Sequence, residues 1–212
     1  MSFHIRPATP DDADFLGWAC VMASRSQLER GWFDIVLERD DAFVREFAKY
    51  LTIAHARSWW HWSLFQVAEV NGARASAMCG FGDESVYLAS ADAMAEASDK
   101  MGVPKIEQAR HWPRGSFILS VTSGEDDAWT IENVATRPEY CGSGATQALL
   151  AQECRHAREA GFARAQISFF IGNTAAERAY AKAGFRFAEE KRSAEFMAAM
   201  GIPGIRRYAK DI

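Results

Sequence analysis

Two glycines separated by one residue, Gly142 and Gly144, constrain this chain more than any other feature. They lie in PEYCGSGATQALL, residues 138–150, between a proline-led turn and a run with helical spacing. Glycine weakens regular structure by roughly 0.5–1 kcal/mol relative to alanine, so the pair indicates backbone that closely approaches another group. A helix N-terminus presents amide groups that favour an anion. The alternative is a turn that needs glycine only to close, and the flanking residues must decide between the two.

The segments around this turn have the spacing of alternating helices and strands. Helices are predicted around 15–22, 43–54, 86–102, 145–160 and 174–184, the last with Thr174 as its cap. Strands are predicted over 3–7, over 63–81 as a hairpin turning at Asn71-Gly72, over 116–121 and 128–136 as a second hairpin, and over 163–172, 185–192 and 204–212. Residues 24–34 and 103–115 are predicted to be irregular. With no linker or repeat, we expect one domain, 1–212, with a mixed α/β sheet and helices on both faces.

The composition is that of an ordinary globular protein and excludes some partners. Residues of the apolar types make up 49% of the 212 positions, which is enough for a sizeable core. The net charge is −4, and the 24 Lys and Arg residues are scattered, so we expect no nucleic-acid surface. The chain starts without a signal-like segment and has no run of 18 apolar residues, so we expect a cytoplasmic protein that does not enter a membrane.

The side chains that usually hold metals or form disulfides are dispersed. The five histidines have no metal-ligand spacing, and we expect no metal. The cysteines have no CxxC pairing and are interpreted as free thiols: Cys20, Cys79, Cys141 and Cys154.

Three common motifs fail on the glycine turn. The dinucleotide fingerprint is broken because position 147 is Gln, and no P-loop pattern occurs. Ser143 lacks the flanking glycines of a nucleophile elbow, because Cys141 and Ala145 stand in those places. A nucleophilic Cys141 would need a basic partner that the sequence does not identify.

Two segments resemble motifs A and B of the GNAT superfamily of N-acetyltransferases. They are IENVATRPEYCGSGATQALL from Ile131 and ISFFIGNTAAERAYAKAGFRF from Ile167. The second matches the family pattern at Asn173, Ala176, Tyr180, Lys182, Gly184 and Phe185. The first departs from it at Cys141, where Arg or Gln is usual, and at Thr146, where Gly or Ala is usual. The resemblance is strong over about 129–188 and weak over the N-terminal IRPATPDDADF, and residues from 82 to about 115 look like an insertion.

The resemblance implies a fold and a cosubstrate. The fold would be an α/β GNAT fold whose mixed, mostly antiparallel central sheet is splayed at the cofactor site, with helices on both faces and a helical insertion. The cosubstrate would be acetyl-CoA, whose pyrophosphate lies on the amides of 142–146 and whose pantetheine arm pairs with the splayed strand. The implied cofactor-binding residues are Val134, Ala135, Thr136, Cys141, Gly142, Ser143, Gly144, Ala145, Thr146, Asn173 and Tyr180. Asn173 is equally well interpreted as a turn residue before a helix.

The resemblance also implies catalytic roles. Tyr180 would protonate the departing thiolate, although it shares a helix face with Ala176 and Ala183 and is alternatively a core tyrosine. The backbone amide of Val134 would hold the oxyanion. An amine with a pKa near 10.4 must lose a proton before it attacks, and Glu132 is the candidate base. An ordinary half-exposed strand glutamate is the alternative for Glu132, and four other acids stay open as bases: Glu107, Glu125, Asp126 and Glu195.

The predicted activity is transfer of an acetyl group from acetyl-CoA to a primary amine of a small molecule or peptide. The alternative is an acyl-CoA-binding regulatory module of the same fold without transfer activity. By the resemblance, the acceptor pocket is built from about 25–33 and 191–204, to which the insertion adds Trp112 or Tyr87. Three tryptophans either line this pocket or anchor the core or an interface: Trp59, Trp60 and Trp62. The sequence leaves a homodimer open.

Overall fold

The computed structural model describes residues 3–122, 124 and 127–212, and their centre is one seven-stranded sheet. The strands are β1 (Phe3–Pro7), β2 (Phe65–Val70), β3 (Ala73–Phe81), β4 (Trp129–Thr136), β5 (Arg164–Phe170), β6 (Arg186–Arg192) and β7 (Gly204–Asp211). Their order is β1-β2-β3-β4-β5-β7-β6. The β4–β5 pair is parallel and the other described pairs are antiparallel. The predicted mixed, mostly antiparallel sheet is confirmed.

Helices cover both faces of this sheet. They are α1 (Ala13–Arg25), α2 (Trp32–Leu37), α3 (Asp41–Thr52), α4 (Ser85–Leu88), α5 (Ser90–Lys100), α6 (Lys105–Gly115), α7 (Ala145–Glu159), α8 (Thr174–Lys182) and α9 (Ala194–Met200). Neighbouring strand residues face opposite sides, so Ala77 joins a core with α1–α5 and Met78 joins a core with α7 and α8. Within the described chain, no helix is both long enough and apolar enough to span a membrane.

Local sequence signals explain several elements directly. The Asp12 carboxylate accepts a hydrogen bond from the backbone amide of Thr9 at 2.8 Å, which holds the chain at the start of α1. Asn71 and Gly72 both have left-handed backbone, with φ of 51° and 82°, as a tight hairpin turn requires. The predicted β2–β3 hairpin is therefore confirmed.

The predicted hairpin between 116–121 and 128–136 is wrong. Ser116–Ser120 is a 3₁₀ helix, and β4 pairs with β3 and β5 instead. The apolar residues of 116–121 pack against α9, with the rings of Phe117 and Phe196 5.8 Å apart. Tertiary packing therefore overrides a strand-like sequence. Three residues of the predicted connecting loop, Ser123, Glu125 and Asp126, lie outside the described residues.

The segment predicted to be irregular over 103–115 is mostly helical. Helix α6 begins after Pro104, where a missing amide has no cost, and it contains Pro113 in its last turn. The indole of Trp32 donates to the carbonyl oxygen of Gly115 at 2.9 Å and so satisfies a group at the helix end. The predicted helix over 86–102 is present, but it breaks at Ala89 into α4 and α5.

The predicted loop over 24–34 is shorter than expected. Helix α1 continues to Arg25, and α2 already begins at Trp32. Asp34 accepts a hydrogen bond from the backbone amide of Gly31 at 2.7 Å, and it forms an ion pair with Arg25 at 2.6 Å. The connection between α1 and α2 is therefore a short, well-held loop.

Candidate functional site

Strands β4 and β5 separate halfway along their length. In the parallel register, Trp129 pairs with Ala165, Thr130 with Gln166 and Ile131 with Ile167, and the pairing ends there. Beyond it, β5 stays paired with β7 as far as Phe170. The facing edges of β4 and β5 therefore diverge from Glu132 onward, which confirms the predicted splay. The segment Val134–Thr136, predicted to pair with pantetheine, lines this gap.

A β-bulge lies in β4 where the gap opens. The register with β3 passes from Cys79–Glu132 to Ala77–Ala135, so Asn133 and Val134 occupy the place of one residue. Asn133 has a left-handed φ of 53°, and its side-chain Nδ2 lies 3.4 Å from the carbonyl oxygen of Trp59. The Val134 amide, predicted to hold the oxyanion, belongs to this bulge. Sequence reasoning missed Asn133, although asparagine is rare in strands and tolerates left-handed backbone.

The glycine turn leads directly into the N-terminus of α7. Gly142 and Gly144 have φ of 78° and 95°, a conformation that other residues adopt at a cost of roughly 1–2 kcal/mol. A side chain at Gly142 would meet no atom within 4 Å, so the turn faces open space. The hydroxyl of Ser143 accepts a hydrogen bond from the amide of Ala145 at 3.3 Å. Cys141 is exposed, and its Sγ lies 3.8 Å from the carbonyl oxygen of Arg137.

The unusual Thr146 is directed toward β4. Its hydroxyl lies 2.7 Å from that of Thr136, which lies 2.7 Å from the hydroxyl of Ser76. Ser76 in turn donates to the carbonyl oxygen of Ala135 at 3.0 Å. This chain of hydroxyls ties the first turn of α7 to the splayed strand. The larger residue at position 146 is therefore accommodated away from the helix amides.

Asn173 caps α8 at the open end of the gap. Its Oδ1 accepts a hydrogen bond from the amide of Ala176 at 3.0 Å, so the cap is Asn173 and the predicted Thr174 cap is wrong. Its Nδ2 donates to the hydroxyl of Ser26 at 2.7 Å. Asn173 therefore joins α8 to the loop between α1 and α2. Its amide keeps a second hydrogen and a second lone pair for another partner.

Tyr180 combines a ring that packs in the core with a hydroxyl that has no hydrogen-bond partner among the described residues. The residue is 6% exposed, and its ring packs edge-on against Phe169 at 5.6 Å, with Ala176 and Ala183 in the same cluster. Burial raises the pKa of Tyr180, and the charge of Glu132 raises it further. Among the described residues, none forms a hydrogen bond with the hydroxyl. The charge of Glu132 thus acts on the second predicted catalytic residue, and the phenol of Tyr180 stays protonated at neutral pH.

Glu132 is surrounded by protein, although part of its surface remains open to solvent. Burial raises its pKa to about 8. In the described structure it has no ion-pair partner. Its charge raises the pKa of Cys79, its register partner on β3, and the pKa values of Tyr87 and Tyr180. A carboxyl group in this state can take up a proton near neutral pH.

The other acids that the sequence left open are placed less favourably or cannot be placed. Glu107 forms an ion pair with Arg39 at 2.9 Å, on α6. Glu195 is exposed on α9. Glu125 and Asp126 lie outside the described residues. Of the described candidates, Glu132 combines a raised pKa with the absence of an ion-pair partner in the described structure.

The segments predicted to form an acceptor pocket do meet. Leu28 of the α1–α2 loop packs in one cluster with Phe117, Phe196 and Met200. Of the two insertion residues, Tyr87 lies near Glu132, and Trp112 is 51% exposed on α6. The predicted tryptophans divide: Trp60 is buried, whereas Trp59 and Trp62 are half-buried against the same core.

Comparison with known proteins agrees with this geometry. The family model "Acetyltransferase (GNAT) family" matches residues 32–185. An N-acetyltransferase from Staphylococcus aureus Mu50 has a TM-score of 0.66 and 18% identity, covering 98% of this chain and 100% of that one. A putative acetyltransferase from Salmonella typhimurium, solved with its cofactor acetyl-CoA, has a TM-score of 0.54 and 12% identity, covering 100% and 94%.

A third solved structure is a polyamine N-acetyltransferase from Drosophila melanogaster that catalyses the formation of N-acetylagmatine. Its TM-score is 0.56 and its identity 14%, with 100% of both chains covered. No curated protein matches the sequence. The family match covers well over half of the chain, and the described fold is that of its structural neighbours. The chain therefore belongs to the GNAT acetyltransferase family.

Proposed function

We propose that the protein transfers an acetyl group from acetyl-CoA to a primary amine by direct attack of the amine on the thioester. The observation that carries this proposal is the gap between β4 and β5, which opens at Glu132, and the charge of Glu132 also raises the pKa of Tyr180. A base and an acid that stand together suit a reaction in which one proton leaves the amine and another reaches the thiolate. Two structural neighbours support the same choice, since one was solved with acetyl-CoA and the other is a polyamine N-acetyltransferase.

The cosubstrate would bind along the gap. The amides of 142–146 would hold the pyrophosphate at the N-terminus of α7, where the helix dipole adds up to about 1 kcal/mol. The pantetheine arm would pair with the main chain of Val134–Thr136, which β5 leaves unpaired. This assignment needs no lysine or arginine at position 141, because backbone amides supply the donors.

In the proposed reaction an N–C bond forms and the C–S bond of the thioester breaks, and proton transfers accompany both changes. The carboxylate of Glu132 takes a proton from the bound ammonium, directly or through water, and the neutral nitrogen attacks the carbonyl carbon. The Val134 amide stabilises the oxyanion as the new N–C bond forms. When the C–S bond breaks, the hydroxyl of Tyr180 gives its proton to the thiolate. The attacking nitrogen, which is cationic after the N–C bond forms, gives its excess proton to the tyrosinate and restores the phenol, and Glu132 releases its own proton to water.

Titration with CoA and with acetyl-CoA tests the cofactor site without knowledge of the acceptor. We expect both to bind, and no heat of binding up to millimolar concentration would contradict the proposal. The regulatory-module alternative predicts the same binding, so a second measurement is needed. Release of free thiol during a screen of primary amines distinguishes the two, because acceptor-dependent turnover excludes a module without transfer activity.

Asn173→Asp tests whether this residue contacts the pantetheine arm. Aspartate caps a helix as well as asparagine does, so α8 should keep its cap, but the Nδ2 donor is lost. We expect the Kd of acetyl-CoA to rise about tenfold, which corresponds to roughly one hydrogen bond. Ser26→Ala is the matched control, because it removes the same link to the α1–α2 loop and leaves Asn173 intact. Equal Kd values for both variants and the wild type would show a purely structural asparagine.

Tyr180→Phe tests the acid. Phenylalanine keeps the ring against Phe169 and nearly all the buried area, so the melting temperature should hardly change. We expect kcat to fall roughly 10²-fold, with the KM for acetyl-CoA little altered. A large loss of melting temperature with normal kcat would instead identify a core tyrosine whose hydroxyl has a structural role.

A further inference from the structure

Four aromatic side chains form a row from α2 to α4, which we call the aromatic row: Trp32, Trp60, Trp59 and Tyr87. Successive ring centroids are 6.0, 4.9 and 5.5 Å apart. Trp60, within the row, is 3% exposed, and Tyr87, at the α4 end, is 37% exposed. The row is therefore anchored in the core at Trp60 and reaches the surface at Tyr87.

The exposed end of the aromatic row lies over the sheet face that carries Glu132. The ring of Tyr87 packs edge-on against Phe81 at 5.3 Å. Phe81 is two residues along β3 from Cys79, the register partner of Glu132, so all three side chains face the same side of the sheet. The pKa of Tyr87 is raised first by burial and next by the charge of Glu132, in agreement with this placement.

Trp59 is linked to the same place through main-chain groups. Its carbonyl oxygen lies 3.4 Å from Nδ2 of Asn133, the residue after Glu132. Its amide donates to the carbonyl oxygen of Val86 at 3.2 Å, beside Tyr87. The β4 bulge and the short helix α4 therefore hold Trp59 and Tyr87 in a fixed position relative to the carboxyl group.

The chemistry of this corner suits an amine with an apolar body. Among the described residues, Glu132 has no cationic partner, so an ammonium group would supply the missing charge. Aromatic faces attract an ammonium group and bury apolar surface at the same time. The charge of a second carboxylate, Glu84, also raises the pKa of Tyr87. Glu84 is exposed, however, so solvent screens its attraction for a second cation.

We infer that Tyr87 and Trp59 form the acceptor subsite beside Glu132, and that this subsite takes a primary amine whose body is uncharged and apolar, an aryl group in preference to an alkyl chain. The inference rests on the proposed function and adds a substrate class to it. The ammonium group lies toward Glu132, and the hydrocarbon lies against the two rings. The subsite belongs to this chain's own aromatic row and α4, outside the two segments that carry the resemblance to the family.

The test compares three amines in the full-length protein: 2-phenylethylamine, n-propylamine and putrescine. For the wild type we expect the highest kcat/KM with 2-phenylethylamine and the lowest with putrescine, about tenfold apart. Tyr87→Ala should lower kcat/KM for 2-phenylethylamine about tenfold, mainly through KM, and should leave the KM for acetyl-CoA unchanged. Tyr87→Phe should keep the wild-type preference, because it keeps the ring.

Leu88→Ala is the matched control, since Leu88 is the next residue on α4 and is 84% exposed without belonging to the aromatic row. It should change no kinetic constant.

A wild type that acetylates putrescine better than 2-phenylethylamine overturns the inference while the proposed function stands. Equal losses for all three amines in Tyr87→Ala overturn it as well. Failure to bind acetyl-CoA in the titration would remove the proposed function itself, and with it this subsite. The wild-type preference needs no variant, so the test survives if Tyr87→Ala does not fold.

Discussion

Gly144→Asp should remove acetyl-CoA binding, with Kd rising at least about 10³-fold. Two effects combine at this position. The backbone is left-handed, with φ of 95°, which aspartate adopts only at a cost of about 1–2 kcal/mol. The new carboxylate would also stand beside the first amides of α7, where it takes the place of a phosphate and repels the other phosphate charges. Calorimetric titration of the purified variant with CoA measures the loss.

Two controls separate the charge from the strain. Gly144→Asn has nearly the same shape and the same backbone requirement but no charge, so it should bind much better than Gly144→Asp. Gly161→Asn sits at the opposite end of α7, where φ is 89° and a side chain would meet no atom within 4 Å. It should lose similar stability and keep wild-type binding. Unchanged affinity in Gly144→Asp would show that the phosphate cradle has been misassigned.

The sequence predicted the elements whose signals are local. The hairpin at Asn71-Gly72 and helix α7 with its glycine turn depend on nearby turn and capping residues, and both are present. Residues 116–121 were predicted wrongly because their apolar pattern is compatible with a strand, whereas in the structure they are mostly a 3₁₀ helix packed against Phe196 on the distant α9. Helix α6 was missed because its prolines indicated a break, whereas Pro104 precedes the helix and Pro113 lies in its last turn.

The residues of the candidate site differ in how much of their environment could be predicted from the sequence. The glycine turn, Asn173 and Tyr180 could be named as candidates because their spacing along the chain carries the family resemblance. The raised pKa of Glu132 could not be predicted, since it depends on burial in the folded protein. Tyr87 could be named only as one of two alternatives from the extra segment, because no local pattern tells where a one-turn helix will fold back. Long-range packing decides both.

Glu132→Gln should lower kcat about 10³-fold at pH 8.5, because the amide cannot accept the proton of the amine. The loss should depend on pH in one direction. The carboxyl group has a pKa of about 8 in the folded protein, so the active carboxylate forms as pH rises. The ratio of wild-type to variant kcat/KM should therefore increase from pH 6 to about 8.5 and become constant above about pH 9. The titration of the acceptor amine cancels in this ratio.

The same pKa has a consequence for stability that does not depend on activity. The pKa of Glu132 is near 4.3 in the unfolded chain and about 8 in the folded one, so the folded state holds a proton that the unfolded state has lost. The contribution of this group to stability is complete below about pH 4 and disappears as pH rises through 8. The groups around it, Cys79, Tyr87 and Tyr180, stay neutral over this range because their pKa values are raised. Glu132→Gln should therefore melt progressively higher than the wild type between pH 5 and pH 9. A constant difference in melting temperature would mean that Glu132 titrates normally, and another residue would have to act as the base.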